Sequence, residues 1–542
     1  MRKNIIPALF IITFWIALPF VLVYSGQRLD NRYAFTITFA PIISIGGFLL
    51  ILISMTLLLL AIYQFIRTTK KLPISATPSR LLIQNGLYAV WRHPIYLFYT
   101  LFFTGIALIL PSFSMLVFVI PVFIAIELIY IYIEERYLIK RFGDQYLHYR
   151  QKTPLLIPTL ANILRLPVFI LFKLFFGYHI SGKENIPAQP PFFIVAAHKN
   201  YLDPFYIATA VGYPIKFITT FEVFRSPFSR FFFKKLHCLA LKRYCLDLAA
   251  LRNIIQAIEN QWVIGIFPEG ERSWTGRTLT FKPEVLKLLK RYHDIPVLPV
   301  QITGNYLAWP RWAKKPVHNR VEVHFKKPLT STTHYQLPEL ETQLLNRLHS
   351  DQPVASQSLN SEVKNINLVI YRCPACHAFD SFTFDQHTRF ICIYCRTPYT
   401  MLTDGRIQYH LNGSAVQQTI DELYQQVKIK TIDIHPVCDQ NKICSKSARL
   451  YVERGDQLIR LFNGNVLLDQ DRLWFQNQIQ SFSWELKKLT SVTIESNCKL
   501  QIFDSSESRL YQITFKHESV LKWQDLILEK MSKEFGWIPN HR

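Results

Sequence analysis

Glycine is scarce in this chain of 542 residues, which contains only 18 glycines, and no two of them are separated by a single residue. The glycine-rich fingerprint of dinucleotide-binding domains is therefore excluded. Acidic residues are also few, since 38 Asp and Glu stand against 61 Lys and Arg, which gives a formal net charge of +23. The nine cysteines are too sparse for a disulfide scaffold, so their spacing must indicate their role.

Apolar sequence, by contrast, is abundant. Half of the residues are hydrophobic and only 18% are charged, which excludes a mostly disordered protein. The basic surplus predicts an anionic partner, either nucleic acid or lipid headgroups. At roughly 150 residues per domain, the length indicates three or four folded units.

Long uncharged runs dominate the first 135 residues. A bilayer crossing needs about 20 apolar residues, and we predict four crossings, at about 5–25, 38–66, 94–111 and 113–133. A signal peptide is the alternative for the first run, but no small-residue cleavage site follows it. Lysines and arginines concentrate before the first crossing, between the second and third, and after the fourth. This bias predicts that both termini, and everything after residue 135, are cytoplasmic.

Polar side chains flank the third and fourth predicted crossings. Arg92, His93 and Tyr96 open the third crossing, and Glu134 and Glu135 close the fourth. A hairpin brings these two ends together, and ionisable groups at membrane depth are functional candidates. The alternative is that the cations only extend to headgroups and the glutamates only end a helix.

The order of these motifs resembles that of the isoprenylcysteine carboxyl methyltransferase and phospholipid methyltransferase type of membrane enzyme, over about residues 40–158. The motifs are Gly86-Leu87-Tyr88, Arg92-His93-Pro94-x-Tyr96, Glu134-Glu135 and Phe142-Gly143-x-x-Tyr146-x-x-Tyr149. The resemblance implies an S-adenosylmethionine site that includes Arg92, His93, Tyr96, Glu134 and Glu135. Carboxylates suit the cationic amino and sulfonium groups of this cofactor, and arginine suits its carboxylate. An inactive copy that serves as an anchor is the alternative.

Strand-like and helix-like runs alternate from residue 192 onwards. The expected strands are 192–196, 263–267 and 297–302, and the expected helices are 246–260 and 283–292. This alternation predicts an α/β domain. Before it, the apolar segment 163–176 carries two cations and fits a helix that lies in the membrane interface.

Residues capable of chemistry follow two of these strands. His198 and Asp203 are five positions apart, so that the carboxylate can fix the imidazole tautomer and the other nitrogen can take a proton from a hydroxyl. Arg272 follows the second strand, and its forked guanidinium suits a phosphate. Taken singly, such patterns also arise by chance or in a solvated loop.

In this order the blocks resemble the glycerolipid acyltransferase family over about residues 178–335. The blocks are His198 to Asp203, Lys216 to Arg243, Phe267-Pro268-Glu269-Gly270 with Arg272 and Lys282, and a strand around Pro299. The resemblance implies that His198 is the general base and that Asp203 orients it. It further implies an acceptor phosphate site formed by Arg272 with Lys282 or Arg243, and shaped by Glu269 and Gly270.

The same resemblance implies acyl-CoA or acyl-carrier protein as the donor, and lysophosphatidic acid or another lysophospholipid as the acceptor. No acyl-enzyme intermediate is implied, so no nucleophilic cysteine or serine is needed. The chain departs from the family pattern at Ala197, Glu271 and Pro283-Glu284. These departures leave the acceptor open.

Two Cys-x-x-Cys pairs, 15 residues apart, follow the α/β domain, at Cys373, Cys376, Cys392 and Cys395. This spacing predicts a structural zinc ribbon. The alternative is a redox-active site, but such a site would need only one Cys-x-x-Cys motif. After residue 447, six short strands and a helix at about 518–534 resemble the pleckstrin-homology-like or GRAM superfold. Membrane or protein docking and a merely stabilising cap both remain open for this part.

The predicted fold class is a multidomain chain with a four-span α-helical membrane bundle, an α/β acyltransferase domain, a small zinc ribbon and a β-rich, PH-like domain. The predicted boundaries are 1–158, 159–348, a linker at 349–368, 369–402 and 403–542. The favoured function is acylation of a lysolipid in phospholipid biosynthesis or remodelling, with lipid methylation as a second activity, in a bacterial inner membrane. The predicted partners are membrane lipids and the anionic cytoplasmic leaflet. The alternatives are an acyltransferase on an inactive anchor, and a membrane-tethered module that binds nucleic acid or protein; nucleic acid is disfavoured.

Overall fold

A computed structural model of the chain describes most of its residues. These are Thr13 and residues 17–73, 81–156, 158–245, 247–349, 363–386, 388–411, 413–429, 443–445, 447–516 and 518–535. The chain forms two compact units. Unit 1 contains residues 1–163 and 212–214, and unit 2 contains residues 164–211 and 215–542.

Unit 1 is helical. Its described helices are α1 (Leu18–Tyr33), α2 (Pro41–Thr69), α3 (Leu87–Val90), α4 (Pro94–Ile109), α5 (Ile120–Phe142, preceded by a π-helical turn, Met115–Val119) and α6 (Asp144–Lys152). Helices α2 and α4 each begin with proline, which is favoured in the first turn because its missing N–H has no helical partner there. Leu58 on α2 packs with Phe98 and Phe103 on α4 and with Phe123 on α5.

Two described helices are long and apolar enough to cross a membrane, α2 with 29 residues and Met115–Phe142 with 28. The four predicted crossings are therefore confirmed only in part. Helix α4 has 16 residues, which at 1.5 Å per residue span about 24 Å, less than the roughly 30 Å of a bilayer core. Most of the first predicted crossing, 5–25, lies outside the described residues.

Unit 2 begins with helix α7 (Leu160–Phe176, from its fifth residue) and a seven-stranded sheet in the order β1-β7-β6-β2-β5-β3-β4. The strands are β1 (His179–Ser181), β2 (Phe193–Ala196), β3 (Ile215–Thr220), β4 (Leu239–Leu241), β5 (Val263–Ile266), β6 (Val297–Thr303) and β7 (Glu322–Phe325). Strands β2 and β5 are buried along their whole length, as expected for central strands of a parallel sheet. Only the β6–β7 pairing is antiparallel within this sheet.

Helices cover this sheet. They are α8 (Asp203–Ala210), α9 (Pro227–Lys235), α10 (Leu248–Glu259), α11 (Pro283–Arg291), α12 (Asn305–Ala308) and α13 (Leu337–Leu348). Leu286 and Leu289 of α11 and Leu340 and Leu344 of α13 pack in one core with the buried face of the central strands. The result is the predicted α/β domain.

A second sheet follows, with five antiparallel strands in the order β12-β11-β10-β9-β8. The strands are β8 (Phe382–Gln386), β9 (Arg389–Cys392), β10 (Pro398–Met401), β11 (Ile407–Leu411) and β12 (Ser414–Gln418), and helix α14 (Ile420–Ile429) comes next. The predicted boundary at 402 therefore falls inside this sheet. The chain reverses there in a turn at Gly405, where φ is +83°, and pairs β11 with β10.

The third sheet has the order β17-β16-β15-β14-β20-β19-β18, with β13 paired to β15. Its strands are β13 (Ile443–Cys444), β14 (Ala448–Arg454), β15 (Gln457–Leu468), β16 (Arg472–Gln476), β17 (Ser481–Glu485), β18 (Leu489–Ser496), β19 (Lys499–Asp504) and β20 (Arg509–Phe515). Helix α15 (Val520–Phe535) closes this C-terminal β-domain with its predicted apolar face buried. Most of the predicted linker, Cys438, the stretch 430–442 and the last seven residues lie outside the described chain.

Candidate functional site

The candidate site lies at the carboxyl edge of the parallel strands in unit 2. Strands β6, β2 and β5 are neighbours and run in the same direction, so the segments that follow them meet at one edge. Asn305 follows β6, His198 follows β2, and Glu269 to Arg272 follow β5. In open α/β sheets this edge is where ligands bind.

The predicted His–Asp pair is formed. Nδ1 of His198 lies 3.0 Å from Oδ2 of Asp203, whose side chain is fully buried. The same carboxylate oxygen accepts hydrogen bonds from the backbone amides of Lys199 (2.7 Å) and Asn200 (2.8 Å). Because its Nδ1 is engaged, His198 has Nε2 for proton transfer, and its ring stacks on Phe267 with the centroids 4.3 Å apart.

The protonation state of this imidazole suits a base. Burial lowers the pKa of His198 below its ordinary value, although the nearby carboxylate of Asp203 opposes the shift. The positive charges of Arg272 and Arg311 lower the same pKa further. A histidine with a lowered pKa is neutral at physiological pH and able to accept a proton.

Three arginines converge beside this pair. The guanidinium of Arg272 stacks on the ring of Tyr201, 3.2 Å from its centroid, and its Nη1 is buried without a hydrogen-bond partner. Arg243 donates from Nη1 to the carbonyl of Gly270 (3.2 Å), and Arg311 donates from Nη1 to the carbonyl of Arg272 (2.7 Å). Burial and the neighbouring arginines lower the pKa of Arg311 to about 9. This concentration of positive charge fits an anionic ligand.

The remaining residues of the predicted acceptor site are also found here. Gly270 has φ +74°, and a Cβ built on it would lie 3.4 Å from the side chain of Lys282. The lysine stem therefore packs over the glycine. Glu269 is 2% exposed, and burial raises its pKa well above the ordinary value, while the charge of Lys199 opposes the shift. Glu269 is thus an interior residue of the loop rather than one that faces solvent.

Several residues of this site were not anticipated from the sequence. The side chain of Asn305 donates to Oδ1 of Asp203 (2.7 Å), and the side chain of Asn200 donates to the carbonyl of Asn305 (2.7 Å). The backbone amides of Lys199 and Asn200 and the side chain of Asn305 thus hold both oxygens of the Asp203 carboxylate. A polar residue that directly follows a strand and a glycine was the available signal for Asn305. The sequence did not indicate the role of Arg311, because its hydrogen-bond partners are distant in sequence.

Unit 1 brings all five predicted cofactor residues together. Arg92 pairs with Glu135 at 2.5 Å, and the hydroxyl of Tyr96 donates to Glu134 at 3.0 Å. His93 lies between the two carboxylates, 3.5 Å from an oxygen of each. Glu135 is thus held by Arg92 and His93, whereas the Glu134 side chain remains 32% exposed. Of the two carboxylates, Glu134 is the one with room to contact a cationic ligand.

The four paired cysteines also form a cluster. Their Sγ atoms all lie within 4.8 Å of one another, with 3.7 Å between Cys373 and Cys395 and 3.6 Å between Cys376 and Cys392. Four thiolates at about 2.3 Å from a tetrahedral zinc ion are separated by about 3.8 Å. The cluster therefore has the dimensions and donor set of a structural zinc site.

Comparison with protein families accounts for two parts of the chain. Residues 177–303 match the Acyltransferase family. Residues 42–145 match the phospholipid methyltransferase family. Both predicted resemblances are thereby confirmed, and the acyltransferase match contains the His198–Asp203 pair and the three-residue segment Gly270 to Arg272.

The curated relatives of the acyltransferase segment include two bacterial proteins. The 1-acyl-sn-glycerol-3-phosphate acyltransferase of Bacillus subtilis is 26% identical over 114 residues, which cover 21% of this chain and 55% of the relative. The probable enzyme of the same name from Mycoplasma genitalium is 25% identical over 199 residues, covering 34% and 68% respectively. The chain thus spans about half the length of the first relative.

Among solved structures, this chain is similar to that of the 1-acyl-sn-glycerophosphate (LPA) acyltransferase PlsC from Thermotoga maritima. The sequence identity is 25% and the TM-score 0.32, with 35% of this chain and 76% of that chain covered.

Proposed function

We propose that unit 2 transfers a fatty acyl group from acyl-CoA or acyl-carrier protein to lysophosphatidic acid or a related lysophospholipid. The observation that carries this proposal is the His198–Asp203 pair at 3.0 Å, beside the converging arginines. The pair supplies a base, and the arginines supply a site for a phosphate. The family match and the names of the curated relatives support the same chemistry.

In the proposed reaction, Nε2 of His198 takes the proton of the acceptor hydroxyl while the hydroxyl oxygen attacks the carbonyl carbon of the thioester. A C–O bond forms, the C–S bond breaks, and the proton passes from the imidazole to the departing thiolate. Asp203 keeps the tautomer with its proton on Nδ1 and stabilises the transient imidazolium. Arg272 binds the acceptor phosphate, and so places the hydroxyl next to the imidazole.

The test is acyl transfer by the purified full chain with labelled acyl-CoA and a panel of lysolipids. His198→Ala should lower turnover by about 10²- to 10⁴-fold, the usual contribution of a general base. His293→Ala is the matched control, since His293 also pairs with an aspartate, Asp294, at 2.9 Å, but is exposed. Equal turnover by wild type and His198→Ala would contradict the proposal.

A second activity, methylation of a lipid headgroup, is proposed for unit 1. The convergence of Arg92, His93, Tyr96, Glu134 and Glu135 favours it. S-adenosylmethionine would supply an electrophilic methyl group. Glu134 would contact a cationic group of the cofactor, and Arg92 and His93 would hold Glu135 in place.

Calorimetric titration with S-adenosylmethionine separates this activity from the alternative of an inactive anchor. Binding by wild type and its loss in Glu134→Gln support methylation. The absence of binding by wild type would favour the anchor. Glu127→Gln is the control, because Glu127 is a carboxylate of the same helix that pairs with Thr100 instead.

The remaining proposals concern metal and location. Zinc on Cys373, Cys376, Cys392 and Cys395 would crosslink two turns that are otherwise joined by short strands.

The apolar helices and the phospholipid methyltransferase match support an integral membrane protein. We place the termini and unit 2 on the cytoplasmic side of a bacterial inner membrane, in contact with anionic lipid, because lysines and arginines flank the spans.

A further inference from the structure

The C-terminal β-domain reaches the loop that carries Arg272. The contact is made by the carbonyl of Ile494 in β18, which accepts hydrogen bonds from Nη2 of Arg243 and from Nη2 of Arg311, each at 3.4 Å. Strand β18 is the last in the sheet order, and its pairing with β19 shifts between Ile494 and Ser496. A bulge of this kind frees backbone groups from the strand ladder, and here they meet arginines.

The other nitrogens of the same two arginines hold the loop. Nη1 of Arg243 donates to the carbonyl of Gly270, and Nη1 of Arg311 donates to the carbonyl of Arg272. One carbonyl of the β-domain is therefore connected, through two guanidinium groups, to two carbonyls on either side of Glu271. This arrangement fixes the backbone from which the Arg272 side chain projects.

Further contacts join the same parts of unit 2. The Asn497 side chain donates to the carbonyl of Arg311. Glu453 of β14 pairs with Arg225 at 2.6 Å and accepts from the hydroxyl of Tyr244, the neighbour of Arg243, at 2.9 Å.

The loop also shares a hydrophobic core with the C-terminal part of the chain. Trp274 is 6% exposed and Trp312 is 1% exposed, and both pack in the cluster that contains Phe515 and Trp523. The guanidinium of Arg311 lies 4.2 Å from the ring centroid of Trp274. Trp274 is only two positions after Arg272, so the loop is held on both sides of Glu271 and beyond it.

We propose that the C-terminal β-domain is part of the acceptor site, with Ile494, Asn497 and Glu453 as positioning residues that hold Arg243 and Arg311 against the Arg272 loop. This inference rests on the acyltransferase function proposed above. Arg243 then serves to brace the loop rather than to bind phosphate itself, because two of its nitrogens are engaged by carbonyls. Each of the three arginines has one buried nitrogen without a hydrogen-bond partner, Nη1 in Arg272 and Nε in the other two. Because both Nη atoms of Arg243 and Arg311 are engaged by carbonyls, Arg272 is the group that we assign to the acceptor.

The consequence is a selective effect on the acceptor. A loop that is no longer braced lets the Arg272 guanidinium move by a fraction of an ångström, which weakens a bidentate contact with phosphate. The His198–Asp203 pair has its own supports, the backbone of Lys199 and Asn200 and the side chain of Asn305. The base and the acyl-donor site should therefore be little affected.

The experiment uses the full chain and compares Asn497→Ala and Glu453→Gln with wild type. KM is measured separately for lysophosphatidic acid and for acyl-CoA, and the Kd of lysophosphatidic acid is measured in parallel without donor. Asn497→Ala should raise the acceptor KM and Kd about tenfold, and the isosteric Glu453→Gln about threefold, with the donor KM unchanged. Asp421→Asn is the matched control, since Asp421 also contacts the α/β domain, at Thr275 (2.8 Å) and Arg277 (3.5 Å), but does not pair with Arg243 or Arg311.

Unchanged acceptor KM and Kd in both variants, or a rise in donor and acceptor KM alike, would overturn the inference. So would a loss of acceptor affinity in Asp421→Asn equal to that in Asn497→Ala. Failure of the proposed function itself has a different signature, the absence of wild-type turnover with every lysolipid. In that case the Kd comparison still decides the inference, and a wild type that neither binds nor acylates lysolipids overturns both.

Discussion

His198 is subject to two opposing influences. Burial and nearby arginines favour its neutral form, and Asp203 favours its charged form, with burial the stronger. The net lowering of the pKa means that the imidazole is neutral above its folded-state pKa. Protonation, and with it loss of the base, occurs only as the pH falls through that lowered value.

We predict from this that acyl transfer by the wild-type chain declines towards acid pH with a midpoint below 6.5, the ordinary histidine value. Asp203→Asn should reduce kcat by about 10²- to 10⁴-fold, because the amide no longer fixes the tautomer. The remaining activity should decline at a still lower pH, since the group that raised the imidazole pKa is gone. The measurement is kcat/KM against pH, which reports ionisations of the free enzyme.

Asp294→Asn serves as the control, because Asp294 also pairs with a histidine, His293, but is exposed and lies outside the proposed site. A decline of the wild-type rate centred above pH 6.5, or an unchanged profile in Asp203→Asn, would show that another group controls the rate.

At this scale, sequence reasoning predicted the proposed base and its carboxylate partner, but not the residues that hold this pair and the Arg272 loop in place. His198 and Asp203 are close in sequence, so their pairing could be read from spacing. Asn305 is 102 residues from Asp203, and Ile494 is 251 residues from Arg243. Their roles depend on which strands become neighbours, and for Ile494 on a backbone carbonyl, which no residue type indicates.

Among the elements, the turn after β6 is one that strictly requires a glycine. Gly304 has φ +72°, and a Cβ built on it would lie 1.9 Å from the carbonyl oxygen of Arg320. This close approach lets Asn305 begin its short helix where its side chain reaches Asp203. Both the conformation and the space therefore require glycine.

Gly304→Ala should destabilise unit 2 by at least about 2 kcal/mol and also lower acyl transfer, because the clash with backbone moves Asn305. Thermal unfolding of the detergent-solubilised chain measures the first effect and turnover the second. Gly455→Ala is the control, since φ there is +60° but no atom lies within 4 Å. It should cost only about 1 kcal/mol, and an equal effect of the two substitutions would contradict the role of the close approach.

The cysteine ribbon gives a second prediction for an element. The purified chain should contain one zinc ion per molecule, and Cys376→Ser should abolish its retention, because three thiolates and a hydroxyl bind zinc less tightly. Metal content by mass spectrometry is the measurement. Cys245→Ser, at an exposed cysteine outside the cluster, should retain the metal, and zinc retention by Cys376→Ser would contradict the assignment.

The bounds of the observed strands and helices show how well hydrophobic periodicity predicts them. The six predicted C-terminal strands and the closing helix match β14 to β16, β18 to β20 and α15 within a few residues, except that β15 continues to Leu468. Strand β17 (Ser481–Glu485) was missed, because its serines and glutamate alternate with only two aromatic residues. The predicted third crossing also proved to be a shorter helix, since Pro94 and the turn after Ile109 limit its length.

For the whole molecule, the two units contain two separate sets of candidate site residues. We predict that Glu134→Gln abolishes S-adenosylmethionine binding without changing acyl transfer, and that His198→Ala has the opposite pattern. The physical reason is that each set is complete within its own unit, since the supports of Glu134 and of His198 come from the same unit. Calorimetry and acyl transfer on both variants provide the measurement, and loss of both activities in either variant would show that the units are coupled.

The bracing of the Arg272 loop by Ile494 has a consequence for biosynthesis. Domains fold from the N-terminus as synthesis proceeds, at about 5–20 residues per second. The α/β domain ends at Leu348 and therefore emerges from the ribosome roughly 7 to 30 seconds before β18, which lies about 145 residues later. Until then Trp274 and Trp312 lack the part of their apolar cluster that the third sheet and α15 supply. If the proposed function holds, nascent and prematurely terminated chains would contain an assembled base but an unfinished acceptor site, and would acylate the acceptor poorly.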